Sequence, residues 1–169
     1  MNINVPVVIT RTTEPADLPA IVALQSRAFS PGRFARTAYR VREGAPELSP
    51  FCRVAYKGER LIAALRLTEI NVGGRPGALF LGPLAVDPDE AGRGYARRLV
   101  SEALDVARGS GVEVVILVGD IGYYGRLGFA PVPMGQMRLP GPVDFARLLA
   151  AELTPRALAM FRGQVAARS

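Results

Sequence analysis

The spacing of apolar positions changes several times along this chain, and each change predicts an element. Residues 5–10 alternate loosely and are β-rich, which predicts a first strand over Val5–Thr10. Thr12-Thr13-Glu14-Pro15-Ala16-Asp17 offers turn and capping chemistry, and Leu18, Ile21, Val22, Leu24 and Phe29 then recur at helical spacing. A more polar helix is expected over Arg33–Arg42. Phe51–Tyr56 and Arg60–Ile70 read as two strands joined at Lys57-Gly58-Glu59, a hairpin with glycine in its turn. After a second turn at Asn71–Gly77, Ala78–Val86 reads as a long central strand. Gly82-Pro83 interrupts it. Proline removes a ladder donor, so the strand is expected to bulge there or to part from a neighbour.

Arg93–Arg108 carries the clearest helical pattern. Ala96, Leu99, Val100, Ala103, Leu104 and Ala107 form one apolar stripe, and Arg97, Arg98, Glu102 and Asp105 take the opposite side. Val112–Val118 is almost continuously apolar, as in a strand buried on both faces. Ile121–Leu127 reads as a short helix closed by Gly128. Phe129–Val132 and Gln136–Leu139 are weaker strand candidates, Val143–Leu153 reads as a helix, and the last fifteen residues fit helix or strand equally. With no internal repeat, linker or low-complexity tract, residues 1–169 are expected to form a single α/β domain.

Composition narrows the chemistry. Apolar residues make up 49% of the 169, enough for a core, but no apolar run reaches the roughly 20 residues that span a bilayer. No basic segment followed by a long apolar one opens the chain, so a cytoplasmic location is expected. Cys52 is the only cysteine, which excludes an intramolecular disulfide. Histidine is absent, which removes Ser-His-Asp and Cys-His nucleophile pairs and the usual zinc ligand sets, so no metal site is expected. The net charge of +6 comes from arginines spread along the whole chain, without a polybasic tail or aromatic-basic module, and does not favour nucleic acid as a partner.

The candidate site lies where the central strand hands over to the strongest helix. Gly92, Gly94 and Ala96 leave backbone N–H groups uncovered, and the helix points its positive end at the same place. Such a turn suits a diphosphate. A dinucleotide fingerprint would need glycine at position 97, which is Arg97, and a Walker loop would need a Gly-Lys-Ser/Thr run, which is absent. Taken alone, the turn is explained as well by ordinary helix capping.

A second motif decides between these readings. Ala91-Gly92-Arg93-Gly94-Tyr95-Ala96 resembles the Gln/Arg-x-x-Gly-x-Gly/Ala signature of the GNAT superfamily of acyl-CoA-dependent N-acetyltransferases, with Ala91 in place of the usual Gln or Arg. Leu84-Ala85-Val86-Asp87-Pro88 is similar to that family's approach strand. Tyr123-Tyr124-Gly125-Arg126-Leu127-Gly128-Phe129 is similar to its Tyr-x-x-x-Gly-Phe element. The two motifs are separated by a helix and a strand, and the correspondence runs from Val7 to Pro133.

The resemblance implies a mixed, mostly antiparallel sheet flanked by helices and splayed at an acyl-CoA wedge. It implies acetyl-CoA as co-substrate and a primary amine that attacks the thioester directly in a ternary complex. Leu84, Ala85 and Val86 would line the wedge, with the Val86 N–H polarising the thioester carbonyl. Gly92, Arg93, Gly94, Tyr95, Ala96 and Arg97 would hold the pyrophosphate, Asp120 would lie beside the cofactor, and Tyr124 would protonate the departing thiolate. Glu69, Asp120 and water are the candidates for a general base. Other readings of the fold are a catalytically silent acyl-CoA-binding module and a basic nucleic-acid-binding domain. The acceptor is expected to be a small molecule rather than a protein, and a homodimer is left open. Arg27, Arg33, Arg36, Arg40 and Arg42 make the segment between the first helix and the second strand basic; such arginines face water on a polar helix, reach the CoA phosphates, or suit an amine that also bears a carboxylate or phosphate.

Overall fold

The computed structural model describes residues 6–29 and 37–168. One large sheet organises them. Strands β1 (Val8–Thr12), β2 (Arg53–Lys57), β3 (Arg60–Val72) and β4 (Arg75–Val86) run antiparallel, each beside the last. β5 (Val114–Val118) then joins β4 in parallel. β8 (Leu148–Glu152) pairs antiparallel with β5, and β6 (Ala130–Pro131) with β8. β9 (Gly163–Ala167) pairs with the far end of β3, and β7 (Met137–Arg138) lies beside β9. The helices are α1 (Leu18–Ala28), α2 (Thr37–Arg42), α3 (Tyr95–Gly109) and α4 (Ile121–Tyr124). This is the mixed, mostly antiparallel α/β architecture expected from the chain. No helix among the described residues is long and apolar enough to cross a membrane.

Two-residue alternation along the strands sorts the core into layers. Leu79, Leu81, Val115, Leu117, Leu149 and Ala151 meet Leu99, Val100, Ala103, Leu104 and Ala107 of α3 on one face. Phe80, Val114, Ile116, Leu148 and Ala150 face the other way, with Val41 of α2 and Phe161. Leu24 of α1 packs on Val54, Leu61, Ala64 and Ala85. β5 is therefore buried on both faces, as its unbroken apolar run requires.

One predicted element is overturned. Val143–Leu153 does not form a helix; its second half is β8. Leucine and alanine favour helix locally, but five ladder pairs with β5 and burial of both faces outweigh that preference. The last fifteen residues resolve into a 3-10 turn at Ala157–Met160 followed by β9. The first strand begins at Val8 rather than Val5, which lies outside the described residues, as does the expected helix start at Arg33.

Asp17 fastens the start of α1 to the sheet. Its side chain, 4% exposed, takes both guanidinium arms of Arg11 at 2.7 and 2.8 Å, the Tyr56 hydroxyl at 2.6 Å and the Glu14 N–H at 2.7 Å. The Arg11 hydrogen bonds, more than its partial burial opposes, hold the carboxyl well below the usual carboxylate range. A depressed carboxyl contributes stability above its unfolded value near pH 4, and that contribution is lost as the pH falls through the folded value. Asp17→Asn is expected to lower stability by about 1.5–3 kcal/mol at neutral pH, the range for hydrogen bonds to a charged group. Denaturant melts at pH 7 and pH 3 should show the difference between variant and parent shrinking on acidification. An equal difference at both pH values would exclude this role for the carboxylate.

A candidate acyl-transfer site at a gap in the sheet

The β4–β5 ladder stops after three pairs, Ala78–Val114, Leu79–Val115 and Phe80–Ile116. Beyond them β4 is paired only with β3, through Leu81–Leu67, Leu84–Leu65, Ala85–Ala64 and Val86–Ala63. Three residues of β4 span the stretch that two residues of β3 cover, so one extra residue is inserted at Gly82-Pro83. The insertion shifts the alternation by one. Leu84 and Val86 thus join Leu79 and Leu81 on the α3 face instead of turning away from it.

The same phase shift aims the backbone. The Asp87 N–H donates to the Ile62 carbonyl at 2.8 Å, so Ile62–Asp87 is a hydrogen-bonded pair of the antiparallel ladder. Narrow and wide pairs alternate, which turns the N–H groups of Leu84 and Val86 away from β3 and into the gap. Ala85 has the opposite phase: its backbone faces β3 and its side chain, 1% exposed, packs under α1. Of the three strand residues expected to line the wedge, Leu84 and Val86 present N–H donors to it and Ala85 supports it from behind.

A cavity of about 230 Å³ fills the gap. Leu81, Leu84 and Tyr124 reach it from the α3 side, and Gln25, Phe29, Ala38 and Arg42 from the side of α1 and α2. The cavity therefore passes through the sheet. Tyr124 stands at this passage in a T-shaped contact with Phe129, ring centroids 5.8 Å apart, and another with Tyr123 at 4.9 Å. Its ring packs against Gly119, where an added Cβ would come within 2.6 Å of a ring carbon, so only glycine admits the tyrosine. Burial, with a smaller contribution from Tyr123, pushes the Tyr124 phenol up to about 12. It keeps its proton throughout the neutral range. Tyr123 is 40% exposed and lines no part of this cavity.

The expected diphosphate turn lies beyond the end of β4. The Asp87 carboxylate, 3% exposed, fixes its entry by accepting from the Asp89 N–H at 3.0 Å and from Arg60 at 2.6 Å, and Arg27 stands 3.5 Å away. That backbone hydrogen bond, ahead of the arginines, keeps its carboxyl below the ordinary range. Gly94 caps α3 in the left-handed region, φ +84°, and offers no side chain to the helix end. The Arg98 N–H already reaches the Gly94 carbonyl at 3.0 Å, which leaves the N–H groups of Tyr95, Ala96 and Arg97 without intrahelical partners. Arg93 is on the turn, but its guanidinium meets Glu90 at 3.0 Å, which offsets part of its charge. Further along, Arg97, Arg108 and Arg126 line an open groove of about 300 Å³ in which Arg108 is held by Asp105 at 3.1 Å.

The candidate bases do not meet in the passage. The Asp120 carboxylate caps α4, accepting from the Gly122 N–H at 2.9 Å. Glu69 lies in a separate cavity with Pro46, Leu48, Ser49, Thr68 and Arg168. No carboxylate among the described residues lines the passage. Of the five arginines expected to make this segment basic, Arg42 reaches the cavity, Arg27 in the last turn of α1 turns to Asp87, Arg40 lies against Gly141, and Arg33 and Arg36 lie outside the described residues. Sequence patterning does not foresee Arg66. It sits mid-strand on β3, and only the ladder register brings it opposite α2.

Comparison with known proteins agrees with this geometry. The model of the acetyltransferase (GNAT) family matches residues 18–129. The uncharacterised N-acetyltransferase YhbS of Escherichia coli K12 is 32% identical over 120 residues, which cover 70% of this chain and 71% of YhbS. The crystal structure of E. coli YhbS in complex with CoA superposes with a TM-score of 0.80 at 30% identity, over 95% of this chain and 89% of that one. A GNAT acetyltransferase from Brucella melitensis, solved with acetyl-CoA, shares the fold at 24% identity with a TM-score of 0.72, over 97% of both chains. A parted sheet, an amide-lined turn and a tyrosine at the gap thus occur in a chain that belongs to the GNAT family of acetyltransferases.

Proposed function

We propose that this protein, as a single domain, transfers the acetyl group of acetyl-CoA to the primary amine of a small acceptor. The observation that carries this reading is the passage through the sheet, which would let two ligands meet from opposite faces. The unpaired N–H groups of Leu84 and Val86 fit an extended amide chain that adds to the strand edge. The uncovered amides of Tyr95, Ala96 and Arg97 fit a diphosphate at the helix end, and the groove of Arg97 and Arg126 fits further phosphate.

When bound, acetyl-CoA supplies an electrophilic thioester carbon. The chain's own groups would do the rest. Gln25, Phe29 and α2 hold the amine on the side of the sheet opposite α3. The Val86 N–H donates to the carbonyl oxygen as the amine nitrogen bonds to carbon and negative charge gathers on that oxygen. Tyr124 gives its hydroxyl proton to the sulfur as the carbon–sulfur bond breaks, and recovers a proton from solvent. The desolvation that raises this phenol also raises a thiol held beside it, so the two stay matched for transfer. With no carboxylate among the described residues of the passage, the amine's surplus proton leaves to water. Asp120 acts as a positioning residue by fixing the first turn of α4, which carries Tyr124.

The test is CoA release, followed with a thiol reagent, when acetyl-CoA is offered with amino acids, amines, polyamines, aminoglycosides and peptides. At least one small amine is expected to release CoA well above the hydrolytic background. Tight acetyl-CoA binding without release on any acceptor would identify a silent binding module instead.

A further inference from the structure

Among the described residues, the acceptor end of the passage is lined by two arginines and no acid. Arg42 comes from α2, whose Val41 is buried beneath it, and Arg66 from the middle of β3. Both are half-buried, and the Nε of each is buried without a hydrogen-bond partner. Arg66 donates one Nη hydrogen to the Pro46 carbonyl at 3.1 Å, and the Arg42 guanidinium lies 5.9 Å from the Tyr39 ring centroid. Neither forms an ion pair with any described carboxylate. A Cβ built on Gly82 would be 3.8 Å from the Arg42 Nη1, so this guanidinium hangs over the bulge at which the ladder parts.

Two like charges sharing a desolvated site oppose each other. Burial, and then the neighbouring Arg66, lowers Arg42 to about 10. Burial also lowers Arg66, against smaller attractions from Cys52, from Glu47 in the adjoining cavity and from Tyr39. A protein holds two such cations together without a counterion where a ligand supplies it. Paired guanidiniums match the planar, two-oxygen geometry of a carboxylate. The cavity of about 230 Å³ is smaller than the roughly 300–1,000 Å³ of drug-sized ligand pockets, which fits a molecule of amino-acid size.

From the juxtaposition of Arg42, Arg66 and the bulge at Gly82, we infer that the acceptor is a small amine bearing a carboxylate, which the two guanidiniums clamp while its nitrogen faces the gap. This inference rests on the acetyltransferase reading above and names its acceptor class. The clamp excludes polycations by like-charge repulsion and aligns the amine with a carbon held on the far side of the sheet.

The experiment pairs each amino acid with its carboxamide as acceptor, and phosphoethanolamine with ethanolamine, at fixed ionic strength. Spermidine and a lysine-rich peptide represent the excluded class. Calorimetric titration of N-acetyl amino acids and their carboxamides into the CoA complex provides a readout independent of turnover. Carboxylated partners are expected to lead by about 10- to 150-fold in kcat/KM and in affinity, the range for charge-assisted hydrogen bonds. Arg66→Gln and Arg42→Met should each erase most of that lead through KM, while the acetyl-CoA-induced rise in Tm is retained. Arg42→Met should not lower the Tm of the free protein, because it removes a repulsion; a fall of several degrees would make Arg42 a structural residue. A lead confined to phosphoethanolamine would assign the clamp to phosphate and overturn the carboxylate. Absence of discrimination in both measurements, or preference for spermidine or the peptide, overturns the clamp and leaves acetyl-CoA binding untouched. Loss of the acetyl-CoA shift in the parent protein would instead overturn the reading beneath it.

Discussion

Tyr124→Phe is expected to bind acetyl-CoA almost as the parent protein does and to turn over about 10²–10⁴-fold more slowly, the range for losing a positioned acid. The substitution keeps the ring and its T-shaped contacts with Phe129 and Tyr123, so the change isolates the hydroxyl. Because burial holds this phenol near 12, Tyr124 adds no alkaline fall in kcat at any pH well below that value. Tyr123→Phe, at an exposed position outside the cavity, should change kcat much less. Steady-state kinetics on any accepted amine, with cofactor affinity measured separately, decide the matter. Equal kcat for Tyr124→Phe and parent would mean that solvent or another group protonates the sulfur.

Gly94→Val is expected to abolish the acetyl-CoA-induced rise in melting temperature while the free protein still folds. A Cβ at Gly94 meets no atom within 4 Å, so the free protein loses only the strain of a side chain in the left-handed region, about 1–2 kcal/mol. Where a ligand covers the helix end, that Cβ occupies the approach to the amides of Tyr95 and Ala96. For the parent protein, ligand at a hundred times its Kd contributes about 2.7 kcal/mol, or about 5–11 °C for a domain of this size. Differential scanning fluorimetry with and without acetyl-CoA reads both effects. A variant that keeps the full shift would move the diphosphate away from this turn.

The parts of the fold visible in the sequence are those in which local pattern and final environment agree. α3 has an apolar stripe and caps of its own, and β5 is apolar throughout because both its faces are covered. The bulge was legible at Gly82-Pro83, since a proline cannot continue a central ladder. β8 was not legible, because Leu148, Leu149, Ala150 and Ala151 favour helix until β5 offers them a ladder. The site divides in the same way. Its phosphate turn and tyrosine are contiguous motifs, each carried by a short stretch of chain. Arg42 and Arg66 are 24 positions apart on a helix and a strand, and nothing local to either predicts that they face one cavity. Nor does sequence reveal that Asp120 is engaged by a helix end, or that Glu69 opens onto a different pocket.

The extra residue that β4 carries at Gly82-Pro83 has a consequence for traffic. Two compounds that enter by one mouth must queue, and the first to arrive can bar the second or trap it. Here the sheet acts as a wall with a window at Gly82, and each visitor has its own side. On the reading proposed above, neither compound stands in the other's doorway, so arrival can follow either order and each product retreats the way its precursor came. Shortening β4 by that one residue would turn Leu84 and Val86 to the opposite face and brick up the window, without removing a single side chain of the site.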